Sequence, residues 1–93
     1  MKLAIYTMRR TVYEGETTRV TLPTEVGEVT VLDNHEPYVT ILAQGNLRYE
    51  AHVVTELPSG EKSAVRKEER TLPIKGGFLE VREGNEVRIL ADE

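Results

Sequence analysis

The chain has 93 residues, enough for one domain around a single modest core. With 39% hydrophobic and 30% charged residues it reads as a folded, soluble protein rather than a disordered one. A net charge of −4 and the lack of any cysteine argue against a general nucleic-acid surface and exclude disulfides and thiolate metal sites.

No apolar run approaches the ~18 residues that cross a bilayer as a helix. Leu3-Ala4-Ile5-Tyr6 is followed at once by Met8-Arg9-Arg10, which is not a signal-peptide pattern. These features predict a cytoplasmic protein with no direct membrane insertion, so any membrane association has to come through a partner.

Along the chain, short segments of period-two alternation are separated by turn residues. Residues 2–7 place Leu3 and Ile5 on one face. Residues 10–16 end at Glu14-Gly15-Glu16, where glycine permits a turn or a bulge. Residues 17–22 set Val20 and Leu22 against Thr21, and Pro23 is predicted to stop that strand because it has no N–H for the ladder. Residues 27–32 share Val29 and Val31 on one face, and Asp33-Asn34-His35-Glu36-Pro37 follows as a turn.

Residues 38–43 and 46–54 are two further strands, parted by Gln44-Gly45. From 55 to 72 the character changes: Leu57-Pro58-Ser59-Gly60 reads as a turn, and residues 61–70 are almost entirely charged. Either a protruding hairpin arm with two wet faces or a short surface helix would accommodate this, and the hairpin is the preferred reading. Residues 78–82 and 86–91 form a last hairpin through Glu83-Gly84-Asn85. The spacing predicts an all-β fold, a β-sandwich of about eight to ten short, mostly antiparallel strands with no C-terminal helical domain.

Catalytic chemistry finds no foothold. His35 and His52 are the only imidazoles, and neither has a second ligand at helical or strand spacing. The only serines, Ser59 and Ser63, fall in the polar arm and lack a nucleophile-elbow context. Glu28, Glu36, Glu56 and Glu80 lie on different elements with nothing to pair them as acid and base. Gly76-Gly77 lacks the surroundings of a phosphate loop and reads instead as a place where the backbone needs positive φ. No catalytic, cofactor or metal site is expected, and the chain is not read as an enzyme.

Five motifs in order carry a resemblance. They are Val12-Tyr13-Glu14-Gly15-Glu16, Leu22-Pro23-Thr24-Glu25-Val26-Gly27-Glu28, Asn34-His35-Glu36-Pro37, Gly76-Gly77-Phe78-Leu79-Glu80-Val81 and Val87-Arg88-Ile89-Leu90-Ala91-Asp92. Together they resemble the N-terminal β-sandwich of the epsilon subunit of F-type ATP synthases over nearly the whole chain. Thr24 and Asn34 stand where that family commonly has glycine, Glu36 where it has a small apolar residue, and Met8 where it has proline. The charged stretch 55–72 looks like an insertion in a single domain spanning 1–93.

The resemblance implies a non-catalytic central-stalk subunit that couples the gamma shaft to the membrane c-ring during proton- or sodium-driven ATP synthesis. It implies no cofactor, and a peripheral position on the cytoplasmic face of the inner (plasma) membrane through the synthase complex. The ring would meet one turn-bearing end of the sandwich, with Thr24, Glu25, Val26, Gly27 and Glu28 beside Asn34, His35, Glu36 and Pro37. Glu28 is the first candidate there and His35 the second, near the junction of ring and shaft. A separate face would dock on gamma. Longer members continue into a C-terminal helical hairpin that in some binds ATP and inhibits hydrolysis; ending at Glu93, this chain is expected to be a short or shortened form without that activity. The alternative is a stand-alone β-sandwich binding module for a peptide or carbohydrate. That reading would want exposed aromatics, yet tryptophan is absent and Tyr6, Tyr13, Tyr38 and Tyr49 suit core positions.

Overall fold

The computed structural model describes residues 1–56 and 62–93, which form nine strands and no helix. These are β1 (Lys2–Tyr6), β2 (Thr11–Glu16), β3 (Arg19–Thr24), β4 (Gly27–Leu32), β5 (Tyr38–Leu42), β6 (Gly45–Glu56), β7 (Lys62–Ile74), β8 (Gly76–Arg82) and β9 (Glu86–Asp92). They pair in the order β2-β1-β9-β8-β5-β3-β6-β7, with β4 added to β3. Among the described strands only β1 and β9 run parallel. The single twisted sheet curls over itself into a sandwich, so that Tyr13 of β2 reaches β6, where its hydroxyl accepts a hydrogen bond from the His52 N–H at 2.9 Å.

Alternation explains the core. Leu3 and Ile5 of β1, Val20 and Leu22 of β3, Val31 of β4, Leu47 of β6, Leu79 of β8 and Ile89 of β9 are almost fully buried between the two halves. Each such side chain contributes roughly 1.5–3 kcal/mol by leaving water. Tyr13 and Tyr49 stack at 5.3 Å, and the Tyr13 hydroxyl donates to the Glu16 carbonyl at 2.7 Å. Tyr13→Phe keeps the stack but leaves a carbonyl and an N–H without their partner. It should cost about 1–2 kcal/mol in urea unfolding, and a loss under about 0.5 kcal/mol would mean that these two bonds are replaced by water without penalty.

Four local features depart from the sequence expectation. Pro23 does not end β3: it pairs with Glu28, its carbonyl accepts the Ala43 N–H at 3.0 Å, and its ring packs on Gly45, where a Cβ would lie 2.9 Å from it. A proline is tolerated there because its carbonyl does the bonding and a glycine makes room for its ring. Thr17 lies outside the strand, buried in a turn in which its hydroxyl donates to the Arg19 carbonyl at 2.9 Å. Gly15 makes no turn or bulge. It sits within β2 opposite Leu3, where a Cβ would come within 2.8 Å of the Tyr13 hydroxyl, and the register shift falls at Ile5/Tyr6 instead. Gly76 and Gly77 already belong to β8 rather than preceding it.

The charged stretch takes the hairpin form where it is described. β6 and β7 pair from Gly45↔Ile74 outward to Glu56↔Lys62, and the turn expected at 57–60 lies outside the described residues. β7 is the last strand of the sheet, and its run of Arg66, Lys67, Glu68, Glu69 and Arg70 with Pro73 makes a poor template for pairing with another chain. Directly opposed Glu50 and Glu69 would repel. Each has its own partner instead: Arg19 clasps Glu69 at 3.1 and 2.9 Å, while the Thr18 hydroxyl donates to Glu50 at 2.7 Å and His52 lies 3.1 Å from it. The Thr18 contact first, and His52 next, hold the Glu50 carboxyl below its ordinary range.

Candidate docking surface

β4 pairs with β3 alone, which makes it an edge strand. The β3–β4 turn at Glu25 and Val26 lies at one end of it, and the Asp33–Pro37 loop at the other. The six residue steps from Glu28 to Asn34, at about 3.3 Å each, separate the two groups by roughly 20 Å. The nine candidate residues therefore do not share one end of the sandwich. They flank one edge.

Their individual roles differ. Thr24 is buried, and its hydroxyl donates to the Gly27 carbonyl at 2.6 Å, closing the turn that Gly27 completes at φ 116°. The position that commonly holds glycine in the resembled family is thus met here by a side-chain bond, with the positive φ carried by Gly27. Glu25 is exposed, and Val26 stands 94% exposed at the tip. Glu28 is exposed and receives the Arg48 guanidinium of β6 at 2.7 Å. Surface pairs of this kind are worth about 0–1 kcal/mol, so Glu28 is free to exchange Arg48 for a partner's cation.

At the other end Asn34 takes the left-handed region at φ 60°, as asparagine tolerates. His35 is exposed, with its N–H donating to the Leu32 carbonyl at 3.2 Å and its ring 5.1 Å from that of Tyr38. Glu36 and Pro37 are exposed. Asp33 accepts a hydrogen bond from the Met1 ammonium at 2.6 Å, and that bond is the chief reason its carboxyl lies below the ordinary range. Burial raises the Tyr38 hydroxyl.

A separate face was expected from the resemblance, but none of its residues was. On the outer face of β5, β8, β9 and β1 the register aligns Ile41 with Phe78, Phe78 with Leu90, and Leu90 with Tyr6. Ile41, Phe78 and Leu90 are 61%, 44% and 50% exposed, and Val39 adds another exposed apolar side chain beside them. Val26 extends this row across a shallow depression that it shares with Val39 and Ile41. Scattered exposed valines are ordinary, whereas Ile41, Phe78 and Leu90 form a contiguous apolar row across three strands. The hint in the sequence was that 38–42 and 78–81 carry apolar residues at both parities, so both faces of those strands are apolar.

Among the described residues no group of three or more His, Asp or Glu is arranged to hold a metal ion. The fold and its surfaces define a small all-β sandwich domain, with an apolar face on one side and a polar edge flanked by two turns. The whole chain, residues 1–93, matches the family described as ATP synthase, Delta/Epsilon chain, beta-sandwich domain, and it belongs to that family. It is 34% identical over 93 residues to the chloroplastic ATP synthase epsilon chain of Chlamydomonas reinhardtii, covering all of this chain and 60% of that protein. The ATP synthase epsilon chain of Dehalococcoides mccartyi is 36% identical over 92 residues, covering 99% of this chain and 55% of its own. The chain thus spans little more than half the length of these relatives.

The fold also matches a chain of the cryo-EM structure of the Euglena gracilis mitochondrial ATP synthase, OSCP/F1/c-ring in rotational state 1. That match has a TM-score of 0.74 and 26% identity, covering 98% of this chain and 49% of that one. A chain of the central stalk/c-ring of the Tetrahymena thermophila mitochondrial ATP synthase shares the fold with a TM-score of 0.73 at 15% identity, over 99% of this chain and 63% of its own.

Proposed function

We propose that this chain is a non-catalytic central-stalk subunit of an F-type ATP synthase, which couples a gamma-type shaft to the membrane c-ring. The observation that carries this is the family match over the whole chain, from Met1 to Glu93. In this reading the chain is one sandwich domain with a solvated hairpin arm, held at the membrane surface by its complex. The synthase works at the cytoplasmic face, and the ring decides whether protons or sodium drive it.

Two surfaces support the division of labour. The apolar row of Ile41, Phe78 and Leu90 suits permanent docking on a shaft, because apolar burial is non-directional and strong. The β4 edge, with Glu28 near one end and His35 beyond the other, suits contact with polar ring loops. A sandwich is also a sound torque element, since close-packed layers resist shear.

Glu28→Ala combined with His35→Ala tests the ring surface. In the reassembled synthase the double variant should retain ATP hydrolysis while ATP-driven ion pumping falls several-fold, about 1 kcal/mol or more of lost contact. Assembly with ring and shaft as tight as that of the unaltered protein, with full pumping, would refute the assignment.

A further inference from the structure

The Asp33–Pro37 loop has no ladder of its own, yet it is tied down from outside. Within the loop the one backbone bond is that from the His35 N–H to the Leu32 carbonyl. One tie is the Met1 ammonium on the Asp33 carboxylate at 2.6 Å, and the other comes from the β8–β9 turn. The Asn85 side-chain oxygen accepts the Asn34 N–H at 2.7 Å. Asn85 is itself anchored, because its carbonyl accepts the Lys2 N–H of β1 at 3.0 Å.

Asn85 sits at φ 59°, a conformation that glycine would fill without strain. What glycine lacks is the amide. That amide reaches from the turn to the Asn34 backbone in the loop that carries His35, so its use is the loop rather than the turn.

We propose that Asn85 is a positioning residue that presents Asn34, His35, Glu36 and Pro37 in one conformation to the rotor assembly. This rests on the central-stalk reading of that loop. A loop free to move loses backbone entropy when it docks. A loop already held has met that cost in folding, and its partner binds the more tightly for it.

Asn85→Gly separates the two roles, because it keeps the left-handed backbone and the Lys2 bond while removing the amide. Amide exchange read residue by residue should show Asn34 protected in the unaltered protein although it lies in no strand. In the variant its exchange should accelerate at least about tenfold while the melting temperature stays within a few degrees. Affinity of the chain for a gamma–c-ring subcomplex should fall about tenfold, and His35→Ala, measured alongside, should also weaken it.

Exchange of the Asn34 amide at the rate of an unstructured peptide in the unaltered chain would overturn the clamp without any variant. Weakened binding in His35→Ala with none in Asn85→Gly would overturn the positioning role and leave the central-stalk reading intact. No weakening in either would remove the loop from the interface, and this inference with it.

Discussion

Gly77→Ala is expected to cost about 3 kcal/mol or more, a large part of the stability of a domain this size. Gly77 lies inside β8, paired with Leu42 on one side and Ala91 on the other, at φ 147°. That backbone conformation is nearly closed to residues with a side chain. A Cβ there would also lie 2.3 Å from the Leu90 carbonyl oxygen and 3.1 Å from the Ala91 Cα. Both obstacles are backbone atoms of the neighbouring strand, so no rotamer change relieves them. Gly84, at φ 84° with nothing near it, is the natural control and should tolerate alanine at the strain cost alone. Urea unfolding of both variants decides the matter: equal losses would mean that the close approach at Gly77 adds nothing to the strain.

The second large effect concerns binding. Ile41→Lys with Phe78→Glu places opposite charges directly across β5 and β8, which preserves a favourable cross-strand pair and the exposed character of the site. The melting temperature should therefore change little. If the chain docks on a gamma-type shaft as proposed, affinity for it should fall by at least about a hundredfold, since aromatic and aliphatic anchors at the centre of an interface are worth about 2 kcal/mol or more each. Shaft binding at unaltered strength in a folded double variant would mean that this apolar row faces something else.

The family resemblance was legible because its motifs are short turn and strand segments, whose chemistry is local. Asn34 adopting positive φ, Gly77 needing it, and Gly84-Asn85 closing the last hairpin all follow from residue type in its immediate context. The core was legible for a similar reason, as in β9, where Val87, Ile89 and Ala91 alternate with Arg88 and Leu90. Pro23 was misread because its acceptability depends on Gly45 and Ala43, some twenty residues away. The run of charge at 61–70 left helix and hairpin open, because both would be wet on every side; pairing with β6 decided it from residue 62 onward.

The candidate site divides along the same line. That Glu28 opens a strand just after a turn, and that His35 lies in an exposed turn, could be read from their neighbours. That they stand at opposite ends of β4, that Arg48 already occupies Glu28, and that Asn85 holds the His35 loop required the register of distant strands. By itself the sequence determined the all-β class, the turns and the alternating core, because these depend on backbone preferences and burial periods a few residues long. Only the tertiary structure decided which exposed side chains form a common surface. Ile41, Phe78 and Leu90 become one row only when β5, β8 and β9 lie side by side, and strand order is set by long-range packing that no local pattern encodes.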